Sequence, residues 1–300
     1  MQPKLTPTAA LLLTLPPLLW AGNAVVGRLI SDQVSPMTLN FLRWTFVFIL
    51  LLPLGGSVLR RESLLWPNWR RFSILGLLGV GSYNALQYLA LTTSTPLNVT
   101  LVASSTPVWM LLTGRLFFGV SISRRQLLGA VLSITGVLLV ISRGQLDILL
   151  QVRWVPGDLY ILVASAAWSY YNWMLAHPTT EPRDIRSDWS AFLLAQVAFG
   201  LGWSALFASA EWALNKAHIS WGWPLVWALT FIVLGPALIA YRTWSAGVAR
   251  AGPAMAGFFW NLTPLFTALL SIIFLSEAPR LYHGLAFALL VGGIMASSRR

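Results

Sequence analysis

The sequence predicts an all-α integral membrane protein, with ten transmembrane helices arranged as two inverted five-helix repeats. Three observations predict it. First, 57% of residues are hydrophobic and only 10% are charged, whereas a soluble globular protein carries about 25% charged residues. The mean hydropathy is +0.70. Second, the apolar residues fall in runs of roughly 20, the length that crosses ~30 Å of hydrocarbon as a helix. The alternating segments of ~10 residues that mark a membrane β-barrel are absent. Third, the stretch 96–143 slides onto 253–300 by 157 residues without a gap. Nine of these 48 positions are identical, so the weight lies in which ones match. Pro96 meets Pro253, Pro107 meets Pro264 and Gly136 meets Gly293, and these residue types set backbone geometry. A period of half the chain means a duplicated domain and not a solenoid. The expected halves are 1–150 and 151–300.

Taken in order, the first half is read as spans at 9–30, 36–56, 70–93, 96–119 and 125–142. The second is read as 157–176, 189–210, 223–249, 253–276 and 281–298. Lys4 before an apolar run imitates a signal peptide, but the repeat requires that run as a helix. Span 3 is dense in glycine, as in LGLLGVGS at 75–82, and small residues let membrane helices approach closely. Trp66, Trp69, Trp154, Trp189, Trp212, Trp221 and Trp223 fall near span ends, where tryptophan anchors to the interface. An odd number of spans per repeat places the second half upside down relative to the first.

Basic residues set the orientation. With both termini cytoplasmic, 14 of the 20 Lys and Arg residues fall inside, five fall outside, and Arg43 lies within span 2. Such a bias defines a multi-pass protein of the cell inner membrane with cytoplasmic termini. The loop at 92–96 is then outside and the loop at 250–253 inside. The net charge of +11 is therefore a topology signal. No nucleic-acid partner is expected, and the lipid bilayer is. The chain has no cysteine, so it has neither a disulfide framework nor a thiolate metal site. No Walker or HExxH motif occurs, and no metal or cofactor is expected. The oligomeric state is not fixed, and a monomer is compatible with everything above.

LLWAGNAVVGR (18–28), MTLNFLRWTF (37–46) and AYRTWSAGVARAGPAMAGFFWNLTPLFTALLSIIFLSE (240–277), with the proline-centred fourth span, resemble the drug/metabolite transporter superfamily, specifically its ten-span EamA family. The likeness covers nearly the whole chain. It implies transport of small organic solutes, with export of amino acids the first expectation, and a central cavity lined by spans 1, 3, 4, 6, 8 and 9. Family repeats commonly end their fourth span in Gly-Glu. Here the second copy has Ser276-Glu277 and the first has Gly119-Val120, so no acid pair is expected. The superfamily's small four-span multidrug pumps hold a glutamate in their first span, where this chain has Asn23 and its neighbours.

The candidate site residues follow from depth and polarity. Pro107 and Pro264 fall mid-span, and a proline frees the carbonyl four residues back, on Ala103 or Trp260. Kinked helices at matching places in two halves point to a solute site. Around that level lie Asn23, Tyr83, Gln87, Thr100 and Ser104 in the first half, and Tyr171, Asn172 and Asn261 in the second. Trp168 and Trp244 are deep rings that could wall a pocket. These residues are the substrate-binding candidates, with Pro107 and Pro264 as helix kinks at the cavity. Each also has a plainer reading, as interhelical hydrogen bonding or packing. Arg43 is the one intramembrane charge, and substrate contact competes there with snorkelling. All nine acids lie in loops or at span ends. A deep proton-relay carboxylate is therefore missing, which counts against efflux of cationic drugs. No nucleophile–base pair or metal-ligand set stands near an interface, so a lipid-acting enzyme is not expected. The resulting expectation is a secondary transporter for a small-molecule solute, working by alternating access between the two repeats.

Overall fold

Proline sets where many of the helices begin. Its fixed φ suits the first helical turn, where its missing N–H costs nothing. The computed structural model describes residues 5–91, 93–94, 96–151, 153, 155–177, 182–275 and 280–298. Helices α1 (Pro7–Leu29), α2 (Pro36–Gly55), α3 (Trp69–Gly76) and α4 (Tyr83–Leu91) come first. They are followed by α5 (Pro96–Ala103), α6 (Thr106–Phe118), α7 (Arg124–Ile141) and the short α8 (Leu146–Leu150). The second half holds α9 (Pro156–Ala176), a short α10 (Arg183–Ser187), α11 (Trp189–Ala213) and α12 (Trp223–Ile232). It closes with α13 (Ala240–Ala251), α14 (Pro253–Trp260), α15 (Leu262–Leu275) and α16 (Leu281–Ser298). Among the described residues there is no strand, only an isolated bridge between Val34 and Ile219.

Other starts are capped by side chains. Ser123 accepts from the Gln126 N–H at 3.2 Å while the Gln126 side chain accepts from the Ser123 N–H at 2.9 Å. This reciprocal box fixes the start of α7. Asp188 caps α11 by accepting from the N–H groups of Ser190 and Ala191 at 2.8 and 3.3 Å.

Six described segments are long and apolar enough to cross a membrane: Pro7–Gly27, Pro36–Leu59, Arg124–Ile141, Trp189–Ala213, Trp223–Ala251 and Leu281–Ser298. The stretches 69–91, 96–118, 156–176 and 253–275 are also helical and agree with the expected spans to within a few residues. Two of them, 96–118 and 253–275, are each broken into a pair of short helices, of 8 and 13 and of 8 and 14 residues, and 156–176 carries Ser165, Ser169, Tyr171 and Asn172 on its buried side. Ser276 and Glu277 lie outside the described residues.

Two of these inner stretches are broken where kinks were expected. α5 ends at Ala103 and α6 begins at Thr106, so the break falls at 104–105, just before Pro107. α14 ends at Trp260 and α15 begins at Leu262, with Asn261 between them, three residues before Pro264. The Ala103 carbonyl finds a substitute donor in the Thr106 hydroxyl at 2.7 Å.

A second pair of irregular turns was not foreseen. α3 runs into α4 through a π-helical turn at Leu77–Ser82, and α12 into α13 through another at Val233–Ile239. These places correspond under the 157-residue shift. π turns concentrate at functional sites.

The helix pairings also correspond. α7 packs on α16 and α2 on α11; α1 packs against α13 and α15, as α9 does against α4 and α6. The α7–α16 crossing is close because it lacks side chains. A Cβ on Gly129 would meet the Gly293 carbonyl oxygen at 2.7 Å, and one on Gly136 would meet that of Ala286 at 3.1 Å.

Candidate functional site: an aromatic centre between the halves

Where these helices meet, the interior is filled by rings. Trp20 (α1), Trp168 (α9), Trp244 (α13) and Trp260 (α14) touch one another in all six pairings, with centroids 5.1–6.1 Å apart. Tyr83 adds contacts to Trp168 and Trp260 at 5.8 and 5.3 Å. Tyr171 stacks on Trp168 at 5.1 Å, and Tyr241 meets Trp20 and Trp168 at 6.3 and 6.1 Å. Edge and tilted contacts of this kind are each worth about 0.5–1.5 kcal/mol beyond burial. Trp168 is the hub, touching six of these rings.

Polar atoms at the rim fix the cluster. The Trp244 indole N–H donates to Asn172 Oδ1 at 2.6 Å, and Asn172 Nδ2 donates to the Trp168 carbonyl at 2.7 Å. Tyr171 donates to Gln196 Oε1 at 3.0 Å. The two π turns supply carbonyls that a regular helix would keep. The Tyr241 hydroxyl donates to the Gly79 carbonyl, and the Trp20 indole N–H donates to that of Pro236 at 3.1 Å. Gly79 and Pro236 are equivalent under the 157-residue shift, so each half offers one carbonyl here. Gly79 must be glycine, because a Cβ there would lie 2.5 Å from the Tyr171 ring. The Trp168 indole nitrogen is buried with no hydrogen-bond partner. A buried donor left unpaired costs about 1–3 kcal/mol.

A polar wedge borders the rings. Asn40, Arg43 and Trp44 on α2 are buried, and Trp44 meets Tyr241 edge-on at 5.0 Å. Asn40 Nδ2 donates to the Ser204 hydroxyl at 3.2 Å, and Asn84 donates to Asn40 Oδ1 at 3.4 Å. Asn40 and Trp44 were not among the expected site residues. Their signal was present in MTLNFLRWTF, where Asn40, Arg43 and Trp44 stand at i, i+3 and i+4 on one helix face.

The expected residues divide into groups. Tyr83, Trp168, Tyr171, Asn172 and Trp244 come together in the centre. Asn261 meets Ser104, its repeat counterpart, but through the backbone. Asn261 Nδ2 donates to the Ser104 carbonyl at 3.1 Å and to the Ser133 hydroxyl at 3.0 Å. It thereby joins the two helix breaks to α7. Pro107 is buried in the first turn of α6 and Pro264 is half-buried in the first turn of α15. Asn23, Gln87 and Thr100 are half-buried on α1, α4 and α5. Among the described residues, no hydrogen bond ties Asn23 or Gln87 to the rings.

Polar ties join the helix ends at two places. At the first, the Glu211 carboxylate accepts from the N–H groups of Met37 and Thr38 and from the hydroxyls of Ser35 and Thr38, at 2.7–3.1 Å. Ser35 N–H donates to the His218 carbonyl at 3.0 Å, and Ser220 N–H to that of Gln33 at 2.7 Å. At the second, Arg71 donates to the carbonyls of Met174 and His177, both at 2.9 Å, and Arg186 donates to that of Leu175. Among the described residues, the rings of Trp20, Trp168, Trp244 and Trp260 pack on one another at the middle, where the family resemblance implies a central cavity. A recess of about 330 Å³ lies elsewhere, between α2 and α11, lined by Thr38, Phe41, Ala205, Ala208, Ser209 and Trp212.

A bundle of apolar helices packed around a buried polar and aromatic centre defines a multi-pass membrane protein. The chain belongs to the EamA-like transporter family, whose model matches residues 7–142 and again 155–299. An uncharacterized transporter of Archaeoglobus fulgidus is 26% identical over 293 residues, covering 97% of each chain. An aromatic amino acid exporter, YddG, of Ancylobacter novellus is 26% identical over 239 residues, covering 80% of this chain and 77% of that one. A solved crystal structure at 23% identity shares the fold, with a TM-score of 0.73 over 96% of this chain and 95% of that one. The chain is thus a metabolite transporter by family.

Proposed function

We propose that this protein is a secondary transporter of the cell inner membrane that exports amino acids, with those bearing aromatic side chains the best fit. The observation that carries the reading is the set of four mutually touching tryptophans contributed by four helices. Ring faces and edges that now satisfy one another offer an aromatic solute equivalent contacts when they part. Exchange of like contacts keeps the difference between empty and loaded states small, as a carrier requires. The aromatic amino acid exporter among the relatives supports the same substrate class.

In this reading the chain forms ten spans in two inverted repeats, 1–150 and 151–300, with both termini cytoplasmic. Two features support the repeats. The family model matches twice, and contacts exchange under the 157-residue shift. Gly129 approaches Gly293, and their counterparts Ala286 and Gly136 approach each other. That is the pattern a local two-fold axis generates. The ties at Glu211 and at Arg71 would then be the outer and inner gates, which open in turn about the rings. The solute site comprises Tyr83, Trp168, Tyr171, Asn172 and Trp244, with Asn23, Gln87, Thr100, Ser104 and Asn261 nearer its margins. Pro107 and Pro264 shape it. Export of aromatic cations is the competing reading, because indole faces also attract cations.

Counterflow in proteoliposomes tests the reading. Labelled phenylalanine, leucine, glutamate and tetraphenylphosphonium are offered in turn. Saturable exchange of phenylalanine, competed by tyrosine and tryptophan, is the expected result. Exchange of the phosphonium cation without phenylalanine would sink the amino-acid reading.

A further inference from the structure

We infer that Arg43 selects the solute's charge, binding a carboxylate beside the aromatic centre and turning away amines that have the same ring. The inference rests on the amino-acid reading above and names the group that would enforce it. Arg43 is only 4% exposed on a helix otherwise rich in apolar residues. Its guanidinium lies 5.0 Å from the centroid of the Trp44 ring, and Trp44 in turn contacts Tyr241 of the ring cluster. The cation therefore stands about one ring's width from the centre. Asn40 lies one turn away on the same face.

Burying a charge at membrane depth is costly, and residues that persist there serve a pathway or a ligand. In so low a dielectric, a neighbouring charge of the opposite sign is strongly favoured and a like charge strongly opposed. The planar guanidinium fork matches a carboxylate. No described acid offers a solute amine the same service in the centre. Asp158 is buried but already accepts from the Ser94 hydroxyl at 2.5 Å and the Val155 N–H at 3.0 Å. Ring faces alone would favour cations, and Arg43 reverses that preference.

Calorimetric binding to the purified protein tests this with three ligands that share one ring: phenylalanine, 3-phenylpropionate and phenethylamine. The wild type should bind both carboxylates at least about tenfold more tightly than the amine, the size of one hydrogen bond to a charged group. Arg43→Gln should weaken both carboxylates by about tenfold or more while leaving phenethylamine unchanged or improved. Arg43→Lys should keep the order of preference. An Arg43→Gln protein that retains carboxylate selectivity overturns the inference and leaves the amino-acid reading intact. Equal wild-type binding of phenethylamine and phenylpropionate also overturns it, and that result stands even if the glutamine variant does not fold. If the wild type binds none of the three, the amino-acid reading fails and the inference falls with it.

Discussion

The two halves share a frame but carry different chemistry at equivalent points. Under the 157-residue shift, Asn84, Gln87 and Ala103 of the first half correspond to Tyr241, Trp244 and Trp260 of the second. Three small or amide side chains stand where the other half has three rings. The π turns match, the helix breaks match, and each half presents one π-turn carbonyl to an aromatic side chain of the other. The duplicated backbone therefore makes a centre with a polar side, which includes Arg43, Asn40 and Asn84, and an aromatic side. A solute with a charged end and a ring is asymmetric in the same way. On the proposed reading, backbone repetition would supply the mechanism of opening and divergence of side chains the recognition.

The largest expected effect breaks the aromatic side. Trp244→Ala should destabilise the protein by about 3–5 kcal/mol, the usual cost of emptying a buried tryptophan site. The counterpart change, Gln87→Ala, should cost under about 1 kcal/mol because that side chain is half-buried. Thermal unfolding in one detergent compares them. Equal losses would show that the halves are not divided in this way.

A smaller effect separates Asn261 from its counterpart Ser104. Asn261→Ala leaves the Ser104 carbonyl and the Ser133 hydroxyl without their donor, and should cost about 1–3 kcal/mol of stability. Ser104→Ala leaves that carbonyl in place and should cost less. A normal melting temperature for Asn261→Ala, with weakened solute binding, would move Asn261 from the bracing between helices into the site.

The smallest effect lies outside the centre, at the start of α11. The hydroxyl of Ser190, and then the N–H groups of Ser190 and Ala191, hold the Asp188 carboxyl below the ordinary carboxylate value against the opposing pull of burial. Its contribution is therefore present above the ordinary value and is lost as pH falls through the lowered one. Asp188→Ala should cost at most about 1 kcal/mol at neutral pH, as for a solvent-exposed helix cap. The difference from wild type should shrink on acidification. A difference that grows as pH falls would contradict the assignment.

Much of the frame was legible because membrane helices announce themselves through composition and length. The prolines and the half-chain period mark the helix breaks in the sequence itself. The centre was only partly legible. Trp168, Trp244, Tyr83, Tyr171 and Asn172 were recognisable as deep polar or aromatic residues, but nothing local says that Trp20 and Trp260, 240 residues apart, will touch. Trp44 and Asn40 were passed over because a membrane span containing one tryptophan and one amide reads as ordinary packing. The π turns leave no mark on the periodicity, and the one local signal was Pro236, inside the second of them.

The claim that solute is bound between the ring cluster and the polar wedge of α2 can be tested by where a ligand sits. Photolabelling with a diazirine-bearing phenylalanine, followed by peptide mapping, reads this directly. The account predicts label on the segments holding Trp20, Trp168, Trp244 and Trp260 together with α2 near Arg43, and loss of that label when free phenylalanine competes. Competable label confined to the recess lined by Thr38, Ala205 and Trp212 would contradict it.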